Sequence, residues 1–393
     1  MKNDNKMKNF LCCILLLLVL FLSGIQDGYA ADTPVVKAVL KWSRKAHRTE
    51  VHNVAFSPDA KSFLTGSLTE LVVWDSVSYR VRHLLDSDNL KHSLSFDTYP
   101  IPFSQNGEYL IVETLDVSRI CLWNTQTGKK DLEIKGFPSR SVIPGNLKQL
   151  AVAVGKTANI IEVGTGQVKQ KTQFPDDIGS LSYAPKENKV FASCRNGTIY
   201  ISETVDGKII REVEMPDKSD EMVLYSSVLS PCGKYILTTT LDNCVFPQKA
   251  NTYLWRVSDG KIVCTMKNYY STLSLQPFPN DGTSFLTVPF KKNDLYLWNT
   301  KTGKMRHILR GHTEILSSVR FSQDGKYLVS GAYDKTARVW DVHSGKELLK
   351  LEHSAKVSAV GFSPNAKQLL VGCEDGTVLL YDIIIRVLGV ADK

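Results

Sequence analysis

From residue 35 to the C-terminus, short apolar and β-branched runs alternate with turns rich in Gly, Asp, Asn and Ser. The clearest stretch is 311–351. An apolar run at 316–321 meets the turn Ser322-Gln323-Asp324-Gly325-Lys326, and a second run follows at 327–331. A short loop holding Asp334 leads to the run 336–340; the turn Ser344-Gly345-Lys346 then leads to a fourth run at 347–351. Runs of this length, broken by turn formers, predict four short strands of a twisted antiparallel meander. The pattern recurs about every 40 residues, the signature of a repeat architecture.

Eight copies can be aligned on one position, occupied by Trp74, Trp123, Ile161, Ser202, Trp255, Trp298, Trp340 and Tyr381. In six of them a glycine follows five residues on: Gly128, Gly166, Gly207, Gly260, Gly303 and Gly345. The first turn recurs as Ser57-Pro58-Asp59, Ser104-Gln105-Asn106-Gly107, Ser230-Pro231-Cys232-Gly233 and Ser363-Pro364-Asn365. Pro and Gly at these places fit tight-turn dihedrals. The third and fourth copies have lost the key residues and kept the strand rhythm.

The copy at 311–351, with Gly311-His312, Ser330, Asp334 and Trp340-Asp341, resembles the WD-repeat family of β-propellers. The resemblance implies an all-β propeller over 35–393 with eight four-stranded antiparallel blades; seven blades plus a stray unit is the alternative. It also implies that the strand at 35–40 is the outer strand of the last blade and closes the ring. The apolar tail at 383–390 competes for that place.

By the same resemblance His312, Ser330, Asp334 and Trp340 form a hydrogen-bonded framework inside one blade. Buried together, an indole N–H, a hydroxyl and an imidazole each need a partner. The first copy offers His47, Thr65 and Trp74, but Thr69 and Glu70 stand where the Asp would be, so its polar chain reads as incomplete. The last has His353, Asp375 and Tyr381, with Val371 at the hydroxyl position. A His, a Ser and an Asp together also have the composition of a catalytic triad. No G-x-S-x-G elbow accompanies them, and the same positions recur in other copies as framework.

Residues 1–30 read as a secretory signal: Lys2, Lys6 and Lys8, an uncharged apolar run at 10–22, then Gly28-Tyr29-Ala30. Cleavage after Ala30 is expected, leaving no integral membrane span and a periplasmic or extracellular product. An uncleaved anchor is the alternative. For an exported chain the net charge of +8 is no argument for nucleic acid. Beyond Cys12 and Cys13 the cysteines form no C-x-x-C pair, and free thiols are expected.

Charged residues at 22% and apolar ones at 43% are ordinary for a globular protein. Neither G-x-x-x-x-G-K-[ST] nor G-x-G-x-x-G occurs, and no histidine set has metal-ligand spacing, so no cofactor, metal or enzyme activity is expected. The strand order places the loops before the first strand and between the second and third on one face, here called upper. Long loops there are where recognition is expected. Four supply the candidate partner-binding residues: Asp88 in 86–99; Phe246 and Lys249 in 241–251; Tyr269 and Tyr270 in 268–272, with Lys291 and Lys292 in the next upper loop; and the acidic stretch 216–222. The expected function is a monomeric, non-catalytic scaffold for another protein, of unknown identity. An envelope enzyme or cofactor-binding propeller is the alternative.

Overall fold

The structure is a computed structural model. It describes residues 34–86, 103–104, 107–114, 119–135, 149–162, 165–184, 188–216, 222–242, 250–270, 277–289 and 292–387. Eight small antiparallel sheets build an eight-bladed β-propeller, and among the described residues there is no helix. The blades span 53–86, 103–135, 149–173, 178–214, 222–267, 269–309, 316–352 and, for the eighth, 357–387 together with 34–45. Residues 38–383 form the principal unit; residues 1–37 and 384–393 form a second, small one.

Blade 7 shows why the repeat folds this way. Its strands Leu316–Phe321, Tyr327–Ala332, Thr336–Asp341 and Glu347–Glu352 pair in simple order from the inside out. The two middle strands are buried almost throughout and the outer one alternates, as expected for a sheet packed on both faces whose last strand meets solvent. The turns between strands use Gly325 and Gly345 at φ near +71°. In blades 2 and 3 three strands lie among the described residues, and in blade 2 Phe103 adds an isolated bridge to Leu110.

The core is divided into apolar clusters between neighbouring sheets. Leu286, Leu297 and Leu309 of blade 6 pack on Val319, Leu328 and Trp340 of blade 7. Phe63, Val72 and Trp74 of blade 1 pack on Ala359, Leu370 and Leu380 of blade 8. Each blade thus buries both faces against its neighbours, which no single repeat could do alone.

Closure falls to the N-terminal strand. Pro34–Lys45 lies outermost in blade 8, beside Thr377–Val387. The competing tail is the continuation of that neighbouring strand as far as Val387, and the rest of it lies outside the described residues. The amides of Ala46 and His47 both donate to the carbonyl of Gly376, at 3.0 and 3.1 Å. A Cβ on Gly376 would stand 2.1 Å from the His47 carbonyl oxygen, and its φ is +85°, so both the approach and the backbone require glycine.

Candidate functional site

The most chemically suggestive residues lie inside blade 7. Trp340 Nε1 donates to Ser330 Oγ at 2.8 Å, Ser330 Oγ lies 2.7 Å from His312 Nε2, and His312 Nδ1 lies 2.9 Å from Asp334 Oδ2. The carboxylate can only accept, so Nδ1 carries the proton. Nε2 then accepts the hydroxyl proton of Ser330, whose lone pair takes the indole N–H. Burial pushes the His312 pKa down despite the pull of Asp334, which keeps the ring neutral. Burial would raise the Asp334 carboxyl, but hydrogen bonds from Thr336 and His312 outweigh it and hold it below its usual value.

The network runs further outward. Thr336 Oγ1 donates to Asp334 Oδ1 at 2.7 Å, Arg338 Nε donates to Thr336 Oγ1 at 3.3 Å, and Arg338 Nη1 donates to Glu347 Oε2 at 2.6 Å. The guanidinium passes so close to Gly311 that a Cβ there would lie 2.2 Å from Nη1. The glycine of the Gly-His pair therefore makes room for an arginine. Ser330 is 0% exposed. A hydroxyl sealed from solvent and already bonded on both sides has no path to a substrate carbon, so this triad holds the blade together.

Blade 1 corrects the sequence reading of an incomplete chain. Trp74 Nε1 donates to Thr65 Oγ1 at 2.9 Å, Thr65 Oγ1 lies 2.7 Å from His47 Nε2, and His47 Nδ1 lies 3.0 Å from Glu70 Oε1. Hydroxyl and Trp are nine residues apart here and ten in blade 7, so the loop is one residue shorter. The carboxylate arrives from the start of the next strand, and the extra methylene of Glu spans the difference.

Other blades keep fragments of the set. Trp255 and Trp298 each donate to a threonine, Thr238 and Thr287, at 2.8 Å. Met215 takes the histidine place in blade 5, its Sδ 3.8 Å from Thr238 Oγ1. In blade 2 the hydroxyl position is Val112, and Trp123 Nε1 has no partner among the described residues. In blade 8 the Tyr381 hydroxyl reaches His353 Nε2 directly at 3.3 Å, while Asp375 accepts from the Thr377 amide. His353 Nδ1 meets no partner at hydrogen-bonding geometry.

Of the surface residues singled out in the sequence, Asp88, Phe246, Lys249 and Lys291, with residues 217–221 of the acidic stretch, lie outside the described residues. Tyr269 turns inward, edge-on to Tyr296 at 5.2 Å and to Trp298 at 5.8 Å, so its ring serves packing. Tyr270 completes its two-residue strand, paired with Val288. Lys292 is exposed, its amide donating to the Pro289 carbonyl at 3.2 Å.

The upper face of blades 7, 8 and 1 offers groups that sequence reasoning missed. Ile315 is 60% exposed in the turn leading into blade 7, and Leu68 is 45% exposed in the upper turn of blade 1. Lys356 Nζ lies 5.0 Å from the centre of the Tyr333 ring and 3.2 Å from Glu374 Oε1, an arrangement that holds the aromatic in place. The available signal was an Ile in an otherwise polar turn, Gly311-His312-Thr313-Glu314-Ile315. A shallow cleft of about 440 Å³ on blade 3 is lined by Val154, Thr157, Asn159, Lys171 and Gln173, with no carboxylate, histidine or thiol. No group of three His, Cys, Asp or Glu among the described residues is placed to hold a metal ion.

A family model described as "WD domain, G-beta repeat" matches residues 38–75, 303–341 and 345–382. Three stretches of the chain match the WD repeat. Each matched stretch begins on the outer strand of one blade, or two residues before it, and ends on the third strand of the next. The WD repeat at 38–75 thus starts on the strand that closes blade 8, so the phase of the repeat is itself the closure device. No curated protein sequence matches the chain. Among solved structures, the crystal structure of the computationally designed Ika8 protein is similar, with a TM-score of 0.64 and 17% identity over 86% of this chain and 98% of that one. At that identity the likeness concerns the fold of the WD-repeat propeller.

Proposed function

We propose that this WD-repeat propeller is an exported, monomeric, non-catalytic scaffold that binds another protein on its upper face. The observation that carries the reading is Ile315: a large aliphatic side chain, 60% exposed, on a short turn above a fully hydrogen-bonded blade. Apolar anchors on rigid elements, with an aromatic and charged groups beside them, are the usual makings of a protein contact. The His, Ser and Asp that would otherwise argue for hydrolysis are bonded to one another inside the blade. Export rests on the basic start, the apolar run at 10–22 and the small residues before position 31.

Affinity capture after cross-linking in the native cell tests the reading. A stoichiometric protein should be recovered with the wild type and lost with Ile315→Glu, while the melting temperature of the variant stays unchanged. Capture that is indifferent to Ile315→Glu and to Tyr333→Ala would reject the upper face of blades 7 and 8. A cytoplasmic, uncleaved product in fractionation and N-terminal sequencing would reject export.

A further inference from the structure

Apolar exposure and positive charge coincide on the rim where blades 8 and 1 adjoin. Trp42, on the closing strand, stacks on Tyr79 and stands edge-on to Trp74 of blade 1. Leu40 and Arg44 alternate with Trp42 and share its side of that strand. Across the gap, Val81 pairs with Trp74 and Leu84 with Val72, so both face blade 8. Leu40 is 51% exposed, Val81 46% and Leu84 47%. Together they form an apolar strip on the flank of the two blades.

The flanking charge is of one sign. Residues 38–49 carry Lys41, Arg44, Lys45 and Arg48 and no acid; residues 76–85 carry Arg80 and Arg82 and no acid. All six are exposed. Lys41 is paired with Asp382 and Arg82 with Asp75; Lys45, Arg48 and Arg80 have no ion pair among the described residues, and Arg44 lies over the Trp74 ring.

We propose that this rim rests on an anionic lipid surface. Exposed aliphatic side chains within a basic band match the boundary between acyl chains and anionic headgroups. Each Lys or Arg close to such a surface strengthens partitioning about fivefold, and the attraction weakens with salt. The inference does not depend on what the upper face binds.

Co-sedimentation with vesicles tests it, using protein recovered from the exporting cell in its processed form. Binding to vesicles of phosphatidylcholine with a quarter phosphatidylglycerol should exceed binding to pure phosphatidylcholine at least tenfold and fall with added salt. Lys45→Glu with Arg80→Glu should weaken it about twenty-five-fold or more, from two charges at about fivefold each. Leu40→Ser with Leu84→Ser should weaken it severalfold without changing the salt dependence. The control, Lys301→Glu with Lys304→Glu in the exposed turn before the outer strand of blade 6, should change it little. Melting curves verify that every variant is folded. Absence of a preference for phosphatidylglycerol, or equal losses in control and rim variants, would overturn the proposal. Rim-dependent capture of polyglutamate without vesicle binding would assign the rim to an acidic protein instead.

Discussion

The indole of Trp42 stands edge-on to that of Trp74, ring centroids 5.2 Å apart and planes inclined by 65°. One ring sits on the first described strand of the chain and the other at the family's signature position in blade 1. Phe63 and Tyr79 complete the aromatic group, at 5.8 and 6.0 Å from Trp42. The ring is therefore shut by more than backbone pairing. Trp42→Ala is expected to lower stability by about 2–4 kcal/mol, since the side chain is largely but not wholly buried. Urea unfolding measures it. Deleting residues 34–45 should go further, baring the edge of Thr377–Val387 and producing aggregation visible by light scattering. A truncated protein that stays monomeric with unchanged melting would show that the strand is dispensable.

The pairing of His47 with Glu70 makes a second expectation. Asp334→Ala leaves a buried imidazole N–H without its acceptor and should cost about 1–3 kcal/mol. Glu70→Ala should cost about 1–2 kcal/mol, because its carboxylate is a quarter exposed and water replaces part of the loss. The neighbouring Thr69 makes only long contacts with Ser67 at 3.4 Å, so Thr69→Ala should stay within about 0.5 kcal/mol. Chemical denaturation of the three variants separates them. A Thr69 loss as large as that of Glu70 would remove Glu70 from the framework.

Much of this was legible in the sequence. The recurring turn glycines and the Trp position marked eight sheets, because each blade needs the same turns and the same inward residue. The polar chain of blade 7 was readable because every member stands at its usual spacing. That of blade 1 was not, since a one-residue deletion and an Asp-to-Glu exchange compensate only in three dimensions. Tyr269 was ambiguous in principle: of two adjacent strand residues one must face in, and period-two alternation alone does not say which. Ile315 was not legible because loop length is the sequence signal for a recognition loop, and this residue sits on a short one.

The frayed blades should respond differently from the intact one. Ser182 and Ser193 of blade 4 are buried, and their hydroxyls have no partner among the described residues. Removing an unpartnered buried hydroxyl removes a desolvation cost, so Ser182→Ala and Ser193→Ala should be neutral or stabilising. Ser330→Ala breaks bonds to both Trp340 and His312 and should cost about 2–3 kcal/mol. Thermal melting of the three variants checks this. A clear loss at Ser193 would mean that its hydroxyl is bonded after all.

Acid should loosen the protein through its buried imidazoles. Burial lowers the pKa of His47, His312 and His353 below the ordinary 6.5, although Glu70 and Asp334 pull the first two upward. A folded-state pKa below the unfolded value means that the unfolded chain binds protons first as pH falls. The stability is fully present above pH 6.5 and is lost as pH falls from there through the folded pKa of each ring. The Asp334 carboxyl, also depressed, adds a further loss of the same sign below its usual 3.8. Melting temperature should therefore hold level from pH 8 to 7 and decline towards pH 5. His353 is the ring to test, because no carboxylate is bonded to it and only the backbone of Lys335 and Leu351 favours its proton against burial. His353→Met, the residue type that blade 5 uses at the equivalent place, should flatten part of the decline between pH 7 and 5. If the slope of the variant matches that of the wild type, the acid sensitivity arises elsewhere.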